Sequence, residues 1–225
     1  MRNSGDLHSS NFGDLEEKYR HRRELALLPI CEELTRFVRE CLRTALRIDN
    51  ISVRAKTVDS FVAKASKIEG GILKYAEPLS QIQDQIGCRI ITHFLSDVEL
   101  VEKIIGSYFV GIEHRVHIPD SESAFGYISH HHVLLLPQDV VSDDIDRELV
   151  PQFFELQIKT LFQHAWSEAE HDLGYKPGDA PLTSHEKRRL AWASAQAWGA
   201  DQIFDELFRR QSKSEAGDPD SSSDS

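Results

Sequence analysis

Phe153-Phe154-Glu155-Leu156-Gln157-Ile158 is the stretch on which the fold turns. In a strand, successive side chains point to opposite faces. Phe154, Leu156 and Ile158 therefore share one face, and Glu155 and Gln157 the other. A carboxylate in so apolar a strand needs water, a partner or a ligand beside it, because burying it alone is costly. A solvated sheet face would satisfy that need as well as a ligand would. A helix follows almost at once, spanning Thr160 to Leu173, so a strand runs straight into a helix.

The same pattern repeats outward. Ile51–Lys56 alternates as a strand, Gly87–Thr92 (GCRIIT) is rich in β-formers, and Ile112–His117 and Tyr127–Leu136 read as further strands. Between them lie helices. From Leu15 to about Ile48, Leu27, Ile30, Leu34, Phe37, Cys41, Ala45 and Ile48 form one apolar stripe, with Pro29 splitting or kinking it. A helix from Val58 to Ile68 is capped by Thr57 and ended by Gly70-Gly71. Pro78 opens a short helix that stops near Asp84. Ser96-Asp97-Val98-Glu99 and Thr183-Ser184-His185-Glu186 have the spacing of capping boxes. They open helices to about Ser107 and Phe208. Residues 137–150, acidic and polar, read as a loop between paired strands. The expected fold is α/β (α+β): a mixed sheet of about five strands flanked by helices. The expected organisation is an N-terminal helical segment over 1–50, a core over 51–177, a C-terminal helix over 178–211 packing on that core, and a disordered acidic tail over 212–225.

The chain has 225 residues, a formal charge of −11 and 40% hydrophobic residues. Such a charge argues against broad nucleic-acid binding through a basic surface. No apolar run approaches the roughly 20 residues of a membrane span, and the N-terminus has no apolar signal-like region. The 3 cysteines are far apart, which fits a reducing cytosol better than a disulfide framework or a cysteine zinc site. The basic run Lys18 to Arg23 reads as a solvated helix face before an RNA-binding one.

Five groups of residues can carry chemistry. Arg54 and Lys56 leave one strand toward a helix N-terminus, where Ser60, Lys64 and Lys67 line one stripe. That gathers cations at a natural phosphate site, although a charge run is more often a solvated face. Asp84, just before Gly87 and Arg89, fits a turn residue, the commoner case, or a ligand of Mg²⁺. Tyr127, Ser129 and His131 share a strand face, and the flat Tyr127 ring can stack on a base. His130 and His132 face the other way with i,i+2 spacing, which suits a metal site but more often marks a sheet–helix seam. His164, Glu168, His171 and Asp172 fall near one helix face without the zincin spacing, and Trp166, Ala169 and Leu173 read as core.

Five stretches, in order, resemble the synthetase domain of the RelA/SpoT family, which makes the alarmones ppGpp and pppGpp. They are Arg54–Thr57 (RAKT) with its Ser60/Lys64/Lys67 helix, Asp84–Arg89 (DQIGCR), Gly126–His131 (GYISHH), Glu155–Thr160 (ELQIKT) and His164–Lys176 (HAWSEAEHDLGYK). The wording is most similar to the single-domain small alarmone synthetases, with no room for a hydrolase or regulatory domain. The resemblance implies a nucleotidyltransferase-like, cytoplasmic pyrophosphokinase that moves the β,γ-pyrophosphate of ATP to the 3′-hydroxyl of GDP or GTP. It implies that Arg54 and Arg89 sandwich the adenine, and that Lys56, Ser60, Lys64 and Lys67 hold the phosphates. Asp84 and Glu155 would hold Mg²⁺, with Glu155 also taking the hydroxyl proton. Tyr127 would stack on the acceptor base near Ser129, His131, Gln157 and His164. Ser123 and Lys159 stand where many relatives carry Lys and Arg, which bears on the acceptor. The alternatives are a toxic small synthetase acting on tRNA 3′-ends or adenine nucleotides and paired with an antitoxin, and an inactive nucleotide-binding module. Some small synthetases are tetramers, so self-association belongs to the resemblance too.

Overall fold

The computed structural model of the chain describes residues 4–117, 129–175 and 181–216. Helix α1 (Ser4–Arg22) passes through one π-turn (Arg23–Leu27) into α2 (Leu28–Cys41). Pro29 sits in the first turn of α2, where its missing N–H costs nothing, and the wide π-turn absorbs the break. The apolar stripe is buried at Leu27, Ile30, Leu34 and Cys41. It does not continue helically to Ile48, because α2 ends at Cys41 and Ile48 opens strand β1 (Ile48–Ala55).

Thr57 caps α3 (Val58–Ala65), accepting from the Ser60 N–H. The helix stops three residues before the expected Ile68. Gly70 and Gly71 both take positive φ, 61° and 86°, the pair of signs a tight hairpin turn requires. They join β2 (Ile68–Glu69) to β3 (Ile72–Leu73). Ile68 is consequently exposed rather than buried. The short helix α4 (Pro78–Gln81) and a single turn at Gln83–Gln85 lead into β4 (Ile86–Thr92).

Helix α5 (Leu95–Tyr108) starts one residue before the expected capping box. Asp97 rather than Glu99 closes the box, accepting from the Phe94 N–H at 3.2 Å. Strands β5 (Gly111–His117), β6 (Ser129–Leu135) and β7 (Phe153–Thr160) follow. Thr160 then caps α6 (Leu161–Glu170), which ends in a π-turn at His171–Tyr175. On α6 the buried residue is Gln163; Ala169 and Leu173 are exposed and Trp166 is only half-buried, against the expectation of core. Helix α7 (Ser184–Ala216) runs past the expected boundary at Ser212.

The sheet order is β1-β4-β7-β6-β5. Only β4 and β7 pair in parallel; the other three pairings are antiparallel. The fold is thus the expected mixed five-stranded sheet flanked by helices. One sheet face carries Cys88, Ile90, Phe154, Leu156 and Ile158, which join α2 and α5 residues in the core. Among the described residues no helix is long and apolar enough to cross a membrane. Helix α7 is tied to the domain by polar as well as apolar contacts. Asp201 accepts from Thr160 Oγ1 at 2.7 Å, Asp205 accepts from the Ser96 N–H at 2.8 Å, and Phe208 stacks on Phe94.

Candidate active site

Strand register builds the site. Ser52, Arg89, Gln157 and His131 are successive Cα partners across β1, β4, β7 and β6, and Arg54, Gly87 and Glu155 form the next row. Alternation sends both rows to the face opposite the apolar core. A shallow cleft there is lined by Ser52, Arg54, Gly87, Arg89, Glu155 and Gln157.

Glu155 is the centre of a cluster with His131 and Gln157. Its Oε1 lies 2.7 Å from His131 Nδ1 and accepts from Gln157 Nε2 at 2.8 Å. Burial pushes its carboxyl up, but the hydrogen bonds from His131 and Gln157 and the charges of His131 and Lys64 outweigh that. They hold it down at about 2, so it is ionised at neutral pH.

Asp84 is not an ordinary turn residue. Its Oδ2 binds two ammonium groups, Lys56 Nζ at 2.8 Å and Lys64 Nζ at 2.9 Å. Its Oδ1 is buried with no hydrogen-bond partner. Asp84 lies three residues before Gly87, the Cα partner of Glu155, and the charge of Lys64 bears on both carboxylates. Lys56 is held from behind, because Tyr19 Oη and Arg23 Nε both donate to its carbonyl. Arg22 donates to the carbonyls of Leu79 and Glu148 and to Gln85 Oε1, and Lys18 and Arg20 pair with Asp14 and Glu16 one turn back. The basic run is therefore split: Lys18, Arg20 and His21 lie on an exposed helix face, whereas Arg22 and Arg23 brace the strand end at Lys56 and the turn before β4.

At the other end of the cleft, Arg89 donates to Glu168 Oε1 at 2.7 Å and stands 3.5 Å from His164 Nδ1. Burial and the Arg89 charge push His164 below its ordinary value. Lys159 is buried, donating to Ser167 Oγ at 3.1 Å. Burial, then the charge of Arg89, pushes its ammonium down to about 8.

The structure thus brings Arg54, Lys56, Lys64, Asp84, Arg89, Glu155, Gln157, His131 and His164 to one face. Ser60 stays at the N-terminal turn of α3, bonded to Thr57. Lys67 does not join the stripe, because α3 ends at Ala65 and Lys67 lies exposed beyond it. Tyr127 and Ser123 lie outside the described residues; Ser129 is described only as the first residue of β6. The sequence reading missed Ser52, which strand alternation puts on the same face as Arg54. It also treated Glu168 only as a helix partner of His164, whereas it orients Arg89.

The model of the region found in RelA / SpoT proteins matches residues 53–180. GTP pyrophosphokinase YjbM of Bacillus subtilis (strain 168) is 32% identical over 166 residues, covering 71% of this chain and 72% of the relative. The crystal structure of small alarmone synthetase 1 from Bacillus subtilis aligns with a TM-score of 0.67 and 27% identity, over 83% of this chain and 96% of that one. The same synthetase bound to its product pppGpp aligns with a TM-score of 0.64 and 26% identity, over 82% and 95%.

Proposed function

Because the chain belongs to the RelA/SpoT family, we propose that it is a pyrophosphokinase that makes ppGpp and pppGpp from ATP and GDP or GTP, releasing AMP. The observation that carries this reading is that Lys64 bears on both an ionised Glu155 and Asp84, whose Oδ1 is left without a partner beside two lysines.

The residues divide the work by charge. Lys56 and Lys64, which neutralise Asp84 in the free protein, are placed to turn to the phosphates of ATP, with Ser60 at the α3 N-terminus as a further donor. Arg54 and Arg89 flank the adenine. The bond that Arg89 donates to Glu168 holds its guanidinium in place to stack on the ring. Glu155 accepts the proton of the attacking 3′-hydroxyl, which requires that hydroxyl to take over one of the bonds from His131 or Gln157. The acceptor oxygen then bonds the β-phosphorus while the bridge to the α-phosphorus breaks, and AMP leaves. The protein's contribution is alignment and charge neutralisation rather than covalent chemistry.

Asp84 and Glu155 suit Mg²⁺, which takes one or two carboxylates together with substrate phosphates and waters; the unpartnered Asp84 Oδ1 has capacity for such a bond. The bound ion would neutralise phosphate charge. Tyr127 and Ser129, with His131, Gln157 and His164, belong to the acceptor side in this reading, and the setting is the cytoplasm. Self-association, where it occurs, would use the exposed Trp192, Trp198, Ile203 and Leu207 of α7.

The test is incubation with γ-labelled ATP and Mg²⁺ against a panel of GDP, GTP, AMP, ATP and tRNA. Label on GDP or GTP with release of AMP is expected, and chelation of the metal should abolish it. Label on tRNA or an adenine nucleotide instead, with toxicity relieved by a partner protein, would replace the acceptor assignment.

A further inference from the structure

The opposite face of the sheet edge holds a second cluster that the pyrophosphokinase reading does not use. His114 of β5 is the Cα partner of His132 of β6, and His130 lies two residues along the same strand. Alternation puts all three on the face that packs against α5, whose Glu102 projects between the buried Val101 and Ile105 turns. His130 Nδ1 stands 2.9 Å and His132 Nε2 3.1 Å from the same oxygen, Glu102 Oε1. The His114 ring lies 4.3 Å from that of His132 and 5.4 Å from that of His130. One ligand atom from each of the four residues falls within 4.8 Å of the others.

One further fact distinguishes this group from an ordinary seam of polar residues. His130 Nδ1 is buried, and despite its closeness to Glu102 it is not aligned to hydrogen-bond it or any other group.

We propose that His114, His130, His132 and Glu102 form a zinc-type metal site, separate from the Asp84–Glu155 face and independent of the activity assigned to it. Three imidazoles and one carboxylate are a borderline-soft donor set that selects Zn²⁺ over Mg²⁺ or Ca²⁺. Zinc bonds to nitrogen of about 2.0–2.1 Å in a tetrahedron bring ligand atoms to about 3.3 Å from one another. The present separations close to that by side-chain rotation, with the exposed His114 moving most. Four protein ligands make a closed, structural site rather than a catalytic one. The ion would staple the edge strand β5 to β6 and α5, where β5 has only one neighbouring strand among the described residues.

The experiment uses the full chain, stripped of metal by a chelator and then exposed to Zn²⁺ in excess Mg²⁺ before gel filtration and elemental analysis. The expected result is one zinc per chain, a raised melting temperature, and an X-ray absorption spectrum of a four-coordinate zinc with imidazole ligands. The spectrum is read on the unaltered protein, so it does not depend on any variant folding. The His114→Ala/His132→Ala double variant should bind zinc at least about 100-fold more weakly, since losing a ligand costs more than losing an outer partner. His131→Ala, which alters the opposite face, should bind it as before. Recovery of zinc-free wild-type protein, a spectrum without imidazole ligands, or equal zinc in the double variant would overturn the proposal.

Discussion

His131 Nδ1 and Glu155 Oε1 stand 2.7 Å apart on adjacent strands, and Gln157 donates to the same oxygen from two residues along β7. The carboxylate is thereby ionised and aimed before substrate arrives. Glu155→Gln keeps the shape and removes the charge, so it should lower kcat by about 10²–10⁴-fold, the usual worth of a positioned base. AMP release under saturating ATP reads the effect, and activity retained within a few fold would remove Glu155 from the role of base.

The same contact makes an acid-stability prediction. The folded-state value of about 2 lies below the ordinary 4.5, so the folded protein releases this proton more readily than the unfolded chain. Stability from Glu155 is therefore fully present above about pH 4.5 and is lost as pH falls toward 2. Its size is on the order of 3 kcal/mol. Denaturant unfolding between pH 6 and pH 3 should show the wild type losing stability, with Glu155→Gln losing less over the same window.

Lys56 and Lys64 share one oxygen of Asp84 at 2.8 Å and 2.9 Å. Either lysine alone can keep that carboxylate paired, so Lys64→Met should cost little stability. It should nevertheless raise the KM for ATP by about tenfold, the scale of one lost charge-assisted contact, roughly 1.5 kcal/mol. A melting temperature that collapses while KM stays constant would make Lys64 a structural rather than a substrate residue.

The legible parts of this fold were those written in local periodicity. Alternation in β7 was enough to single out Glu155 and Gln157, and Thr57 announced the start of α3. Pairing was not legible, because Arg89, Gln157 and His131 become neighbours only once β4, β7 and β6 are in register. Lys67 was misplaced for a related reason. Gly70 and Gly71 end a helix and turn a hairpin equally well, and only their positive φ values decide the case. Asp84 sits in a single turn with no period to read. His114 drew no notice, since its cross-strand partner His132 is 18 residues away and an edge strand has no buried pattern to advertise it.

Lys159 has the same pH sign as Glu155, in a more alkaline window. Burial, then Arg89, lowers its value from 10.5 to about 8. Below pH 8 the charged amine is present in both states and the folded protein bears the strain of burying it. Between about pH 8 and 10.5 the unfolded chain holds the extra proton, so stability rises with pH. Lys159→Met should remove this rise. Urea midpoints at pH 7.5 and pH 9.5 compare the two proteins directly, and parallel midpoints would show that Lys159 keeps an ordinary value.

Thr160 closes β7, caps α6 and reaches α7, all through one hydroxyl. Its Oγ1 accepts from the Gln163 N–H at 3.1 Å and donates to Asp201 Oδ2 at 2.7 Å; Thr160 is fully buried and Asp201 nearly so. Thr160→Val removes both bonds while keeping the volume. The Gln163 N–H loses its cap, and the buried Asp201 carboxylate loses a donor. The loss of the cap costs about 1 kcal/mol, and a buried charged group deprived of a hydrogen bond about 1–3 kcal/mol more. Thr160→Ser keeps both bonds and should stay within about 1 kcal/mol of wild type. Denaturant unfolding orders the three proteins. Because the same residue anchors α6, the valine variant should also loosen the Arg89–Glu168 bond at the cleft, seen as a weaker apparent affinity for ATP. Equal stability of the valine and serine variants would place the α7 anchor elsewhere, at Asp205 and the Phe94–Phe208 stack.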